Sequence, residues 1–214
     1  MLTRRIAAAV LLIGGCTERD EGGALCSVEE LSFRKTPEGI DMNKSIVYKL
    51  REPRRSPAVF AEKNGFLVLG GCQRKGVHTG SAERIRWNRN LLESSNSVFQ
   101  NVVEAKSCSA FFKLDECAGV LIGGFNGLDC LKSVNLVKLN EREVLPTRLS
   151  TARENHVCEI IFDRYLVVMA GWDGRQALDS VEVFEIIDES PWILPTGIQF
   201  SLCEARIRPV STPL

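Results

Sequence analysis

An apolar run that closes on a glycine pair recurs along this chain, and no other feature restricts its fold as much. The run ends at Gly14-Gly15, at Gly70-Gly71, at Gly123-Gly124, and once more at Ala170-Gly171 with alanine as the first of the pair. Successive second glycines lie 56, 53 and 47 residues apart. That periodicity marks a repeat array, in which each unit is one supersecondary element that buries its faces against its neighbours. The last two units align without a gap at an offset of 47 residues. Lys106 then falls on Arg153, Gly123-Gly124 on Ala170-Gly171, Asn126-Gly127 on Asp173-Gly174, and Ser133-Val134 on Ser180-Val181.

Each unit reads as β structure. An apolar strand runs into the glycine pair, an Asn-Gly or Asp-Gly follows, and an alternating strand comes next, which predicts a β-hairpin whose turn uses the positive φ angles those pairs tolerate. Ser45 to Leu50 and Ser97 to Val102 alternate with period two, as outer strands with one buried face do. Helical periodicity is absent, prolines at 53, 57, 146, 191 and 195 punctuate the linkers, and no stretch is long and apolar enough to span a membrane. The expected organisation is an all-β array with units near 1–50, 51–103, 104–149 and 150–200. Residues 201–214 open a further unit, because Ser201 to Arg206 echoes Ser150 to Arg153.

The amino terminus admits two readings. Arg4 and Arg5, the apolar run Ile6 to Ile13 and Cys16 have the layout of a bacterial lipoprotein signal with Cys16 as lipid acceptor. In the other reading Gly14-Gly15 is the first glycine phrase, and Ser27-Val28-Glu29-Glu30-Leu31 is its following strand, matching Ser180-Val181-Glu182-Val183-Phe184. A signal peptide gives no reason for that match, so the repeat reading is preferred. It makes the first unit compressed, since Arg5 precedes Gly14 by fewer positions than Lys106 precedes Gly123 or Arg153 precedes Ala170.

Charge and composition exclude some classes of function. Twenty-seven basic residues balance twenty-seven acidic ones, so no net field draws the chain to nucleic acid or an anionic membrane surface. Eight cysteines include no C-x-x-C pair of the kind zinc sites favour, and several sit in apolar runs, which points to reduced thiols in a cytoplasmic protein. With His78 and His156 as the only histidines, no metal site, cofactor or catalytic constellation is expected. His156 reads as structural.

These residues resemble the kelch-repeat family of β-propellers. That family combines a leading arginine, an apolar strand ending in diglycine, a Ser-Val-Glu-aromatic strand and a tryptophan several residues on. The fourth unit carries Arg153, His156, Ala170-Gly171, Asp173-Gly174, Ser180 to Phe184 and Trp192 in that order. Departures are a glycine missing at Ala170, Leu31, Ile85 and Val137 where Phe184 stands, and Gly39, Glu93 and Leu145 where Trp192 stands. The resemblance implies a propeller of which about four blades are present, an incomplete ring.

It also implies function: a protein-binding module that captures a peptide segment on a loop face, in the manner of substrate-recognition parts of cullin-type ubiquitin ligase adaptors, whose recruiting region would lie elsewhere. An actin-associated scaffold is the near alternative. A secreted kelch-type copper oxidase and an exported lipoprotein are distant ones, and Tyr48 and Tyr165 as the only tyrosines supply oxidase chemistry poorly. By the same resemblance the partner-binding residues are Arg5, Arg55, Arg74, Asn126, Asn155, Trp172, Asp173 and Arg175. Forked arginine donors read carboxylates and tryptophan anchors peptides, so Arg74, Trp172 and Arg175 carry most weight, whereas Asn126 and Asp173 also serve a turn.

Overall fold

The computed structural model of the chain describes residues 7–17, 23–74, 76–88, 91–99, 104–115, 118–138 and 141–211. Among them there are strands and no helix, hence no helix long and apolar enough to cross a membrane. The first sheet contains β1 (Ala7–Ile13), β2 (Ser27–Thr36) and β3 (Gly39–Lys49), antiparallel and in chain order. The second begins with β4 (Ala58–Glu62) and β5 (Gly65–Leu69). It is interrupted by a small ribbon of β6 (Cys72–Arg74) and β7 (Val77–His78), and resumes with β8 (Ala82–Asn88) and β9 (Leu91–Phe99). The third holds β10 (Ala110–Lys113), β11 (Ala118–Ile122), β12 (Ser133–Lys138) and β13 (Glu141–Arg148). The fourth holds β14 (Val157–Ile161), β15 (Tyr165–Met169), β16 (Leu178–Ile186) and β17 (Ile193–Arg206).

Period-two alternation sends successive side chains of each inner strand to opposite faces, and here both faces are apolar. On β5, Phe66 and Val68 join Val28 and Leu50 in a core against the first sheet, while Leu67 and Leu69 join Leu121 and Val137 in a core against the third. On β11, Val120 and Ile122 turn the other way, to Leu166, Val168, Phe184 and Ile193 of the fourth sheet. Three cores thus lie between four consecutive sheets, and each fully buried Leu, Ile, Val or Phe stabilises its junction by about 1.5–3 kcal/mol. Aliphatic residues fill the places where the fourth unit has Phe184: Ile85 and Val137 are both buried. The series is open, and no closed ring forms among the described residues.

The glycine phrases sit at the joints. In every unit the second residue of the pair donates its N–H to the carbonyl of a basic residue in the following unit: Gly15 to Arg54 (2.9 Å), Gly71 to Lys106 (2.8 Å), Gly124 to Arg153 (2.9 Å) and Gly171 to Arg206 (2.8 Å). The close approach explains the glycine. A Cβ on Gly123, whose φ is +56°, would come within 2.5 Å of the Arg153 carbonyl oxygen and 2.8 Å of His156 Cε1. Ala170 adopts the same left-handed backbone with φ of 61°, at the cost a Cβ brings there.

Two local expectations change. The turn after the glycine pair is not a two-residue hairpin: Phe125 bridges Cys130, and Trp172 bridges Ala177, across a longer loop. Asn126 and Asp173 act through their side chains instead. Asn126 Oδ1 accepts from the backbone N–H of Leu128 and Asp129, Asp173 Oδ1 from those of Arg175 and Gln176, and in these loops positive φ is confined to Gly127 and Gly174.

Candidate functional site

The site is built on the basic residue that leads each unit. Arg54 and Arg153 are 0% exposed and Lys106 1%. Arg54 donates to the carbonyls of Gly70 (2.7 Å) and Ser81 (3.0 Å), to Ser81 Oγ (2.7 Å) and to Glu52 (3.1 Å). Arg153 donates to the carbonyls of Ala170 (2.9 Å) and Ser180 (3.1 Å), to Ser180 Oγ (3.0 Å) and to Glu182 (2.6 Å). Lys106 reaches Ser133 Oγ at 3.2 Å and Asn135 Oδ1 at 2.6 Å. Burial lowers the pKa of Arg54 and Arg153, and the nearby glutamates oppose it. Each cation ties the opening of its unit to the glycine strand and the Ser-x-Glu strand, with fork geometry in the arginines that matches carboxylate and carbonyl acceptors.

Two residues after each leading cation the chain turns left-handed. Ser56, Cys108, Asn155 and Arg208 have φ of 49°, 54°, 51° and 55°. Their backbones form one ladder across the units: Cys108 N–H donates to the Ser56 carbonyl (3.3 Å), Asn155 to Cys108 (3.0 Å) and Arg208 to Asn155 (2.9 Å). The ladder borders an open depression of ≈ 240 Å³ lined by these four residues together with Pro57, Ser109, His156 and Pro209. Beside it lies a second row, the loops that follow the glycine pairs. Arg55 bridges Cys72, Ser107 bridges Phe125, and Glu154 bridges Trp172, so the two rows form one continuous rim.

The rim is polar, and it brings Glu154, the Cys108 thiol and Arg208 close together. Burial raises the Glu154 pKa against the opposing effects of the Cys108 thiol, which donates to it, and of Arg208. Burial also raises the thiol of Cys108, and it pushes Cys130 up to about 11 with the help of Glu154 and Asp173. His156 is buried beneath the ladder, where desolvation and then the charges of Arg153 and Lys106 hold its pKa down to about 3. It is therefore a neutral wedge between Gly123 and Gly171, and the structural reading agrees with its burial. His78 sits edge-on to Phe125 with ring centroids 5.5 Å apart. Among the described residues no group of three or more His, Cys, Asp or Glu side chains is disposed to hold a metal ion.

The expected partner-binding residues fall as follows. Asn155 lines the depression as a rung of the ladder. Trp172, half-buried, Asp173 and Arg175 share the fourth loop, with Arg175 exposed. Asn126 occupies the equivalent loop of the third unit, and Arg74 is exposed at the end of β6. Arg55 is half-buried beside Cys72, its Nη2 3.8 Å from that sulfur, next to the buried Arg54 that leads the second unit. Arg5 lies outside the described residues. Sequence reasoning missed Ser56, Cys108 and Arg208, which have in common along the chain only their place two residues after a leading cation.

A separate concavity of ≈ 230 Å³ lies between the third and fourth sheets, bordered by Leu114, Leu136, Lys138, Ile186, Asp188 and Trp192. Lys138 Nζ stands 5.2 Å from the Trp192 ring centroid there. Trp192 is held against the core of that junction rather than on the rim.

Fold and rim together define a repeat array of antiparallel sheets with a composite loop face at the joints. No protein-family model matches the chain, and no curated protein is similar to it at a significant level.

Proposed function

We propose that the chain is a protein-binding module of kelch-propeller type, with consecutive sheets set as blades about an axis and a rim that captures an extended or turn-shaped peptide segment. The observation that carries this reading is the left-handed ladder from Ser56 through Cys108 and Asn155 to Arg208, which repeats unit by unit around one open depression. Radial repetition about such a depression is what a propeller requires. The rim offers backbone groups, Asn155 and the Arg208 guanidinium at its centre, with Arg74, Trp172 and Arg175 outside them. Such a set suits a peptide carrying a carboxylate and an apolar anchor. A role in substrate recognition for a cullin-type ubiquitin ligase, in the cytoplasm, follows from the resemblance to kelch proteins, with actin association as the neighbouring reading. Seven free cysteines among the described residues suit a reducing compartment.

The test is affinity capture by the full chain, compared with Trp172→Ala, Arg175→Ala and Arg208→Ala, followed by mass spectrometry and by co-sedimentation with filamentous actin. Loss of the same captured protein in all three variants, with circular dichroism unchanged, supports the rim. Capture that all three variants leave intact overturns it.

A further inference from the structure

The three internal joints are built alike but not identically, since the third unit has Lys106 and Asn135 where the second has Arg54 and Glu83, and the fourth has Thr151 where the second has Glu52. The two ends of the array each repeat half of the second unit's parts. On the leading side of a joint stands Glu52-x-Arg54 in the second unit, with a left-handed Ser56 and then Pro57. On the receiving side stands Ser81-x-Glu83: Ser81 Oγ takes the Arg54 guanidinium at 2.7 Å and itself donates to Glu52 at 2.6 Å. Glu83 accepts from the preceding sheet, from the Tyr48 hydroxyl (2.9 Å), and from the Arg51 N–H (2.9 Å). In the fourth unit, where Thr151 stands in the place of Glu52, Glu182 accepts from the Ser150 N–H (2.7 Å) and the Thr151 N–H (3.1 Å) and also takes the leading Arg153 directly (2.6 Å).

At the far end the leading half is already assembled. Glu204-x-Arg206 repeats Glu52-x-Arg54, Arg208 is left-handed as Ser56 is, and Pro209 follows as Pro57 does. The Gly171 N–H bond to the Arg206 carbonyl and the Arg208 N–H bond to Asn155 hold this segment where a following unit would receive it. The Arg206 side chain, however, is exposed and reaches only Glu204 (3.4 Å) among the described residues. At the near end the receiving half is partly exposed. Ser27-x-Glu29 occupies the place of Ser81-x-Glu83, and Glu29 lies between Leu12 and Ile46 on the outer face of the first sheet. That face carries the exposed Lys44, paired with Leu31, and Lys35, paired with Ile40, beside its apolar residues, of which Val10 and Leu12 are 50% exposed, Met42 and Ile46 60%. On the outer face of the fourth sheet Val181 pairs with Phe200, itself 62% exposed.

We propose that the occupant of each end face is a second copy of this chain, joined head to tail, with Arg206 of one copy seated on Ser27 and Glu29 of the next. The opposite charges of Arg206 and Glu29, the exposed apolar residues on both end faces and the likeness of Glu204-x-Arg206 and Ser27-x-Glu29 to the parts of the second unit's joint favour this partner over an unrelated one. The contact is heterologous, so it closes a ring when two copies join at both ends and extends into larger assemblies when they do not. Apolar sheet faces exposed at the ends of an array are otherwise an aggregation hazard, and this joint covers both.

Sedimentation velocity on the full chain, over about a hundredfold range of concentration, reads the prediction directly. The expected result is concentration-dependent association above the 23.8 kDa monomer, weakened at least tenfold by either Arg206→Glu or Glu29→Arg. Mixing the two single variants restores association, because each junction of a mixed pair then joins opposite charges, one in the native order and one exchanged. The double variant carrying both reversals regains self-association for the same reason. Circular dichroism and denaturation show that each variant is folded. A chain that stays monomeric throughout the range overturns the proposal, and so does association that neither charge reversal changes.

Discussion

The Arg153 guanidinium meets the Glu182 carboxylate at 2.6 Å, with the two side chains 0% and 6% exposed. This pair joins the opening of the fourth unit to its third strand, and Glu182 also takes the backbone N–H groups of Ser150 and Thr151 from the link before it.

Glu182→Gln and Arg153→Met each leave one buried polar partner uncompensated. Both are expected to lower unfolding free energy by about 3–5 kcal/mol in urea denaturation. The double variant Arg153→Met with Glu182→Leu recovers part of that loss, since it leaves no isolated charge.

His156 predicts a pH dependence of definite sign. Its folded pKa, about 3, lies below the ordinary unfolded value of about 6.5, so at acid pH the unfolded chain binds a proton that the folded chain refuses. Stability is therefore full above the unfolded pKa and falls as the pH drops from there toward the folded one. Between pH 6 and pH 5 the wild type is expected to lose about 1 kcal/mol more than His156→Leu. Equal slopes in chemical denaturation at the two pH values would remove His156 as the cause; His78 is present in both proteins and cancels.

The glycine pairs differ in what a side chain would cost. Gly123→Ala drives a Cβ into the Arg153 carbonyl and the His156 ring, and a loss of about 3 kcal/mol or more is expected. Gly15→Ala meets nothing within 4 Å, so only left-handed strain of about 1 kcal/mol applies. Ala170→Gly relieves that same strain, and its melting temperature is expected to rise. Thermal denaturation of the three variants orders them.

Thiol reactivity follows burial. Cys158 is pushed up to about 12 and Cys130 to about 11, both chiefly by desolvation, whereas Cys16 and Cys203 are exposed. Iodoacetamide at pH 8 is expected to label Cys16 and Cys203 first and Cys158 last, since only the thiolate reacts. Peptide mapping that finds Cys158 among the early sites would contradict its packing against the core of the third and fourth sheets.

Much of the fold was legible because its constraints are local. The glycine phrases mark positions where a neighbouring carbonyl approaches, the Ser-Val-Glu strands alternate visibly, and Asn126 and Asp173 betray their turns by residue type. The rim was legible only in pieces. Asn155 was recoverable, but Ser56, Cys108 and Arg208 share a backbone conformation and no side-chain chemistry, so no pattern of residue types exposes them. Arg55 drew attention as a basic residue of a loop, while its neighbour Arg54 carries the buried network.

By itself the sequence determined that the chain is a β-sheet repeat and where its joints fall, since glycine requirements and period-two patterning act over a few residues. Only the tertiary structure decided that Arg54, Lys106 and Arg153 are buried, that the left-handed residues meet in one ladder, and that Glu29 lies on the outer face of the first sheet while Arg206 is exposed beside the fourth. The cation contacts alone link residues 27 positions apart, and all three relations depend on how strands and successive sheets come together, which local preference does not encode.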